Sequence, residues 1–118
     1  MTSDPVMINP EQQRFVLMAI INGPRPRTTL RVWGVVMVHI QRDTGEITAN
    51  CRELAEDAAT TPDEAARALD RLAVIGALLK REPGRYDINP HVGWVGDLAT
   101  RQEIAKDVQP VRLVDPVV

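Results

Sequence analysis

Several familiar chemistries are missing from this sequence. It contains no Gly-x-x-x-x-Gly-Lys phosphate loop and no Gly-x-Gly-x-x-Gly turn, so it carries no nucleotide-binding fingerprint. The single cysteine, Cys51, cannot close an internal disulfide. With His39 and His91 it shows no paired-ligand spacing, so neither a metal nor another cofactor is expected. No run of about eighteen apolar residues and no leader-like pattern appears, which argues against a membrane span and for a cytoplasmic protein. Carboxylates are plentiful but lie beside arginines on helix faces, as solvated surfaces do, and none converge on a catalytic site; no enzyme is expected. Positive charge is also short: Lys and Arg number 14 against 16 Asp and Glu, for a net charge of −2 and a pI of about 5.6. Strong non-specific affinity for nucleic acid then requires folding or dimerisation to gather the arginines on one side.

What is present fits one small domain. The chain has 118 residues, 44% hydrophobic and 25% charged, an ordinary globular balance. Its most informative stretch is 48–85. Asn50 opens a helix in which Leu54, Ala55 and Ala58 share one face. Thr61 stands as a second cap, Pro62 at the first helical position and Glu64 three residues after the cap, a Thr-x-x-Glu box. Pro62 has no amide hydrogen and cannot continue the first helix, so the chain breaks there. Ala65, Ala68, Leu69, Leu72 and Ile75 stripe the second helix, and Gly76 stops it. Ala77 to Arg81 reads as a strand, Pro83-Gly84 as a turn and Arg85 to Ile88 as the returning strand. Helix, turn, helix and basic hairpin, carried by Leu69, Leu72, Gly76, Leu78, Lys80 and Arg81, resemble the winged helix-turn-helix of bacterial DNA-binding domains. The expected fold class is α+β, mainly α, with a short β-hairpin wing.

The expected division is a flexible arm over 1–13, the domain over 14–107 and a tail over 108–118. Arg14 to Ile21 is apolar on both faces. It reads as an extra N-terminal strand shielded on both sides, the reading we favour, or as a helix begun by Pro10-Glu11-Gln12. Its two apolar faces ask for more cover than one subunit supplies, hence the expectation of a homodimer. Gly23 to Thr29 reads as a stiff, extended, basic connector in which Arg25 and Arg27 either reach phosphates or are simply solvated. Leu30, Trp33, Val36, Met37 and Ile40 predict a helix over 29–40 with Trp33 as a core anchor. Asp43-Thr44-Gly45 is a predicted turn, and Glu46-Ile47-Thr48 a short strand that pairs with the wing. Beyond the hairpin, Asn89-Pro90 ends the strand and Trp94 folds back with Val92 or Val95 as an apolar flap. Asp97 caps a last helix through Ala105, with Thr100 and Glu103 as a second box. The tail, with two prolines and five valines, is either disordered or a strand added to a partner.

Arg85-Tyr86-x-Ile88-Asn89-Pro90 with Gly96-Asp97 shortly after, in this order of parts, resembles the plasmid replication proteins of the RepL type over roughly residues 14–105. The resemblance implies a protein of plasmid replication or its control whose partner is double-stranded DNA. A homodimer on a repeated or inverted site is the expected form. The acidic start of the second helix, Asp63-Glu64, departs from the Ser/Thr-rich pattern of such motifs.

The second helix of such a motif lies in the major groove with its N-terminal residues nearest the bases. With Ala65, Leu69 and Leu72 inward, the outward set is Thr61, Pro62, Asp63, Ala66, Arg67, Asp70 and Arg71. Arg67 is the expected guanine reader, and Ala66 is small enough to meet a thymine methyl. Asp63 either accepts from a cytosine amine or favours the positive helix end. Thr60 and Thr61 suit a phosphate at that end, and Arg71, Lys80, Arg81 and Arg85 are the further phosphate contacts, joined by Arg25 and Arg27. Against each arginine stands a surface ion pair, Arg67 with Asp63 or Asp70. Two other functions fit the same residues: a winged-helix transcription regulator, and a winged helix used as a protein-interaction module, which the acidic pI and Asp63-Glu64 favour. No small-molecule ligand is expected.

Overall fold

Side-chain caps mark where the helices of this chain begin. In the computed structural model, which describes residues 7–41, 45–94 and 98–111, α1 (Pro10–Ile21) starts after Asn9, whose side chain accepts from the amides of Glu11 and Gln12 at 3.1 and 3.2 Å. Asn50 accepts from the Glu53 amide at 3.0 Å and opens α3 (Cys51–Asp57). Thr61 accepts from the Glu64 amide at 3.2 Å and opens α4 (Pro62–Ile75). Each cap satisfies amides that the first turn leaves without a helical partner. The helix α2 (Pro26–Val38) differs: its cap residue Arg25 has φ 47 and no side chain caps it.

The ends of α3 and α4 use left-handed residues in two ways. Gly76, at φ 96, closes α4 as expected. α3 closes through Ala59 at φ 55, with Thr60 N–H donating to the Ala55 carbonyl at 2.9 Å and Ala59 N–H to Glu56 at 3.2 Å. That is the double hydrogen bond of a Schellman end, formed without the glycine that usually permits it. Replacing Ala59 by Gly is expected to stabilise the fold by up to about 1 kcal/mol, relief of the strain exceeding the added chain entropy. A raised urea midpoint with an unchanged slope is the readout.

The fold is α+β and mainly helical. α4 packs against α2 and α3 and runs directly into the hairpin of β2 (Leu78–Glu82) and β3 (Arg85–Ile88). Leu78 lies opposite Ile88 and Lys80 opposite Tyr86; an irregularity between Lys80 and Glu82 then sets Glu82 against Arg85. Gly84, at φ 80, makes the turn. The segment before α3 joins the hairpin as expected. Glu46 bridges Asp87, the Ile47 amide donates to the Tyr86 carbonyl at 2.8 Å, and Ile40 bridges Ile47. The core between these layers is aliphatic: Val16, Ile20, Val32, Val36, Leu54, Leu69, Leu72 and Leu78 are at most 2% exposed. Trp33 belongs to it, its ring nitrogen donating to Gln13 at 3.2 Å.

Four expectations are corrected. Residues 14–21 are helical, not a strand, because Asn9 and Pro10 supply a cap and a first position from which the helix propagates. Val16, Ala19 and Ile20 are buried on the inner side while Ile21 stays 59% exposed. Residues 23–29 are not an extended connector, since Pro26 begins α2. The arm over 1–13 loses its second half to structure: β1 (Met7–Ile8) pairs with β4 (Gly93–Trp94), and Asn9 N–H donates to Val92 at 2.9 Å. The tail is also held at its start, where the buried Gln12 amide donates to the Val111 carbonyl at 3.0 Å and accepts from the Val111 amide at 2.7 Å. The last helix, α5 (Leu98–Ala105), ends at the expected residue, and Arg101 stacks over Trp94 at 4.7 Å. Asp43 and Thr44 of the predicted turn, Val95, Gly96, the Asp97 cap, the Thr100 side chain and everything beyond Val111 lie outside the described residues.

Asn89 ties these parts together. It is fully buried, and its side-chain amide donates to Gly76 at 2.8 Å and to Gln109 at 2.9 Å while its oxygen accepts from the His91 amide at 2.9 Å. The end of α4, the end of β3 and the C-terminal segment therefore meet on one side chain. The His91 ring adds contacts to the Val108 and Ala105 carbonyls at 2.7 and 3.2 Å.

Candidate nucleic-acid interface

The apolar stripe of α4 is buried, which turns Asp63, Arg67, Asp70 and Val74 outward; all four are exposed, Val74 by 76%. Ala66 is half-buried beside them. Among the described residues no carboxylate lies within ion-pair distance of Arg67, although Asp63 and Asp70 share its helix. The Thr61-x-x-Glu64 box forms, but it occupies both hydroxyls assigned to a phosphate. Thr61 caps the Glu64 amide, and the Thr60 hydroxyl donates to the Glu64 carboxylate. That hydroxyl first, then the Thr61 amide and the charges of Arg25 and Arg67, hold Glu64 below the usual carboxylate range.

The hairpin cations Lys80, Arg81 and Arg85 are all engaged with acids. Lys80 reaches Asp70 at 3.3 Å, Arg81 reaches Asp87 at 2.8 Å, and Arg85 lies 3.5 Å from Glu46 and 3.6 Å from Glu82. Exposed pairs of this kind are worth about 0–1 kcal/mol, so a polyanion can draw Lys80 and Arg85 away at small cost. Arg81 is held harder, because the Asp87 side chain is only 14% exposed. Arg27 is exposed on the first turn of α2.

Arg71 departs from its expected outward position. It is half-buried, its Nε has no hydrogen-bond partner, and its guanidinium presses on the turn between α1 and α2. A Cβ at Gly23 would lie 2.7 Å from one of its nitrogens and 3.0 Å from the Ala19 carbonyl, so a side chain there would displace the guanidinium. Arg71 shares a cleft of about 160 Å³ with Arg25, Thr28, Thr29, Glu64 and Arg67, and Arg25 stands 3.9 Å from Glu64 across it. The sequence reading missed Gly23, Thr28, Thr29 and Glu64 as members of this surface. For Thr28 and Thr29 the available signal was Pro26, since proline at a first helical position starts α2, whose first turn carries them.

The outer side of α4 is braced by Tyr86, whose hydroxyl donates to Asp70 at 2.8 Å. Burial, then the Asp70 hydrogen bond, push the Tyr86 hydroxyl up to about 12 from 10.0, and the same bond holds Asp70 below its ordinary 3.8. The phenol's stabilising contribution is full below pH 10 and is lost as pH rises towards 12; that of Asp70 is full above pH 3.8 and fades as pH falls through its lowered value. Tyr86→Phe is expected to remove the first dependence and to weaken the second, which Lys80 also supports, read as the difference in urea midpoint between the two proteins across pH. Parallel profiles would show that the bond does not form in solution.

Among the described residues no three His, Cys, Asp or Glu side chains gather as metal ligands, and no helix is long and apolar enough to cross a membrane. No family model matches the chain, and neither a curated protein nor a solved structure is significantly similar to it.

Proposed function

We propose that this chain is a winged helix-turn-helix that binds double-stranded DNA as a homodimer in plasmid replication or its control. The observation that carries this reading is the outer side of α4. A capped helix with a buried stripe behind it presents Arg67 to solvent without a carboxylate partner among the described residues, flanked by a hairpin whose Lys80 and Arg85 sit in weak exposed pairs. A helix of this width enters a major groove, and a guanidinium forks onto the two acceptors of guanine. The Asn89-Pro90 stretch supports the reading indirectly. It works as a clamp that holds the base of the hairpin to the end of α4.

The test is a gel-shift titration of random duplex and of plasmid-origin duplex at two salt concentrations. Binding is expected at low salt, with a log–log salt slope of only a few charges, because most cations must first leave a carboxylate. No shift at low salt ends the proposal, and a footprint on a promoter without iterated repeats would favour a transcription regulator. A second reading, a protein-interaction module, is favoured by Val74, exposed between Asp70 and the end of α4. Retention of a protein partner with no duplex shift would support it.

A further inference from the structure

Three arginines share the walls of the cleft between the start of α2 and the middle of α4, and they face one carboxylate. Arg25, Arg67 and Arg71 less Glu64 leave an excess of two positive charges (three minus one) in a concave space of about 160 Å³. That is smaller than the roughly 300–1,000 Å³ of pockets that enclose a drug-sized molecule, so the cleft takes a group rather than a whole ligand. Two further observations say what group. Arg71 lines the cleft half-buried, and among the described residues no carboxylate stands within ion-pair distance of it, so its charge is left for an anion in the cleft to balance. The start of α2, with Thr28 on the cleft wall, is capped by no side chain, and free amides at a helix start favour an anion. Glu64 already sits at the edge, 3.9 Å from Arg25 and tied back to Thr60, as a carboxylate would that fills part of an anion site.

We propose that this cleft binds a phosphoryl group, with Arg71 as the floor donor, Arg25 as the wall, and Glu64 as an internal counter-ion that the phosphate displaces. The group comes either from a duplex backbone, in which case the inference rests on the DNA reading above, or from a free phosphorylated molecule, in which case it does not. Arg67 contributes to the field but is left unchanged in the test, because the DNA reading assigns it a base.

The full chain is titrated calorimetrically with inorganic phosphate and with pyrophosphate at an ionic strength held constant by chloride. Saturable binding is expected, at least tenfold weaker in Arg71→Gln and several-fold tighter in Glu64→Gln. The second variant keeps the Thr60 contact and acts in the opposite direction, so impaired folding cannot imitate it. Gel shifts of a duplex in phosphate and in chloride separate the sources. Duplex affinity that falls in Arg71→Gln and rises in Glu64→Gln assigns the cleft to a backbone phosphate, even if free phosphate gives no heat. Duplex affinity indifferent to both variants, with phosphate still bound through Arg71, assigns it to a free ester. Phosphate heat and duplex affinity both indifferent to the two variants overturn the cleft and leave the DNA reading standing. Phosphate binding with no duplex shift at low salt overturns the DNA reading and leaves the cleft.

Discussion

Asn89→Ala is expected to lower the stability of the fold by about 3 kcal/mol, a large part of the roughly 5–15 kcal/mol that holds a domain together. The side chain is fully buried and makes three hydrogen bonds of 2.8–2.9 Å to Gly76, Gln109 and His91. Truncation strands two carbonyls and one amide, and each buried group left unmade costs about 1–3 kcal/mol, less where water enters the new space. Asn89→Asp gives a sharper version. An aspartate still accepts from the His91 amide but donates nothing to the two carbonyls, so it places a charge among acceptors. Both variants should lower the urea midpoint without changing the slope. A loss below about 1 kcal/mol in both would show that the clamp does not bear on stability.

Arg67→Ala is expected to weaken binding to a duplex selected from a random pool by about 1–3 kcal/mol, tenfold for each 1.4 kcal/mol, while leaving random duplex nearly unaffected. The physical basis is the exposed guanidinium on the outer side of α4, which has no carboxylate among the described residues to leave before it can reach a base edge. Lys80→Ala is the contrast. Lys80 sits 3.3 Å from Asp70, so its loss frees an acid as well as removing a cation, and the expected result is uniform weakening with a shallower salt slope. Equal losses on selected and random duplex for Arg67→Ala would make it a phosphate contact. No loss on either would remove α4 from the interface.

Much of the middle of this fold was legible because its signals act over a few residues. Asn50, Thr61, Pro62 and Gly76 set the bounds of α3 and α4 through hydrogen bonds and backbone angles within one turn. Pro83-Gly84 set the hairpin by the same local means. The N-terminal segment was misread although its signal was equally local: Asn9 and Pro10 open a helix, and an apolar run such as RFVLMAII does not itself distinguish helix from strand. Ala59 carried no signal, since a left-handed alanine looks like any helical alanine in sequence.

By itself, then, the amino-acid order determined where two central helices start and stop, which side of each is apolar, and that a basic hairpin follows. It also determined the inventory of cations that any partner would have to meet. The tertiary structure alone decided which of them are available. Arg81 faces Asp87 because hairpin register puts them together, Lys80 meets Asp70 because the hairpin folds against α4, and Arg71 lies against Gly23 because α4 packs beside α1 and α2. Gln12 and Val111, 99 residues apart, meet on the same terms. Capping and turning depend on neighbours along the chain, whereas charge pairing and burial depend on distances that exist only once the elements have packed.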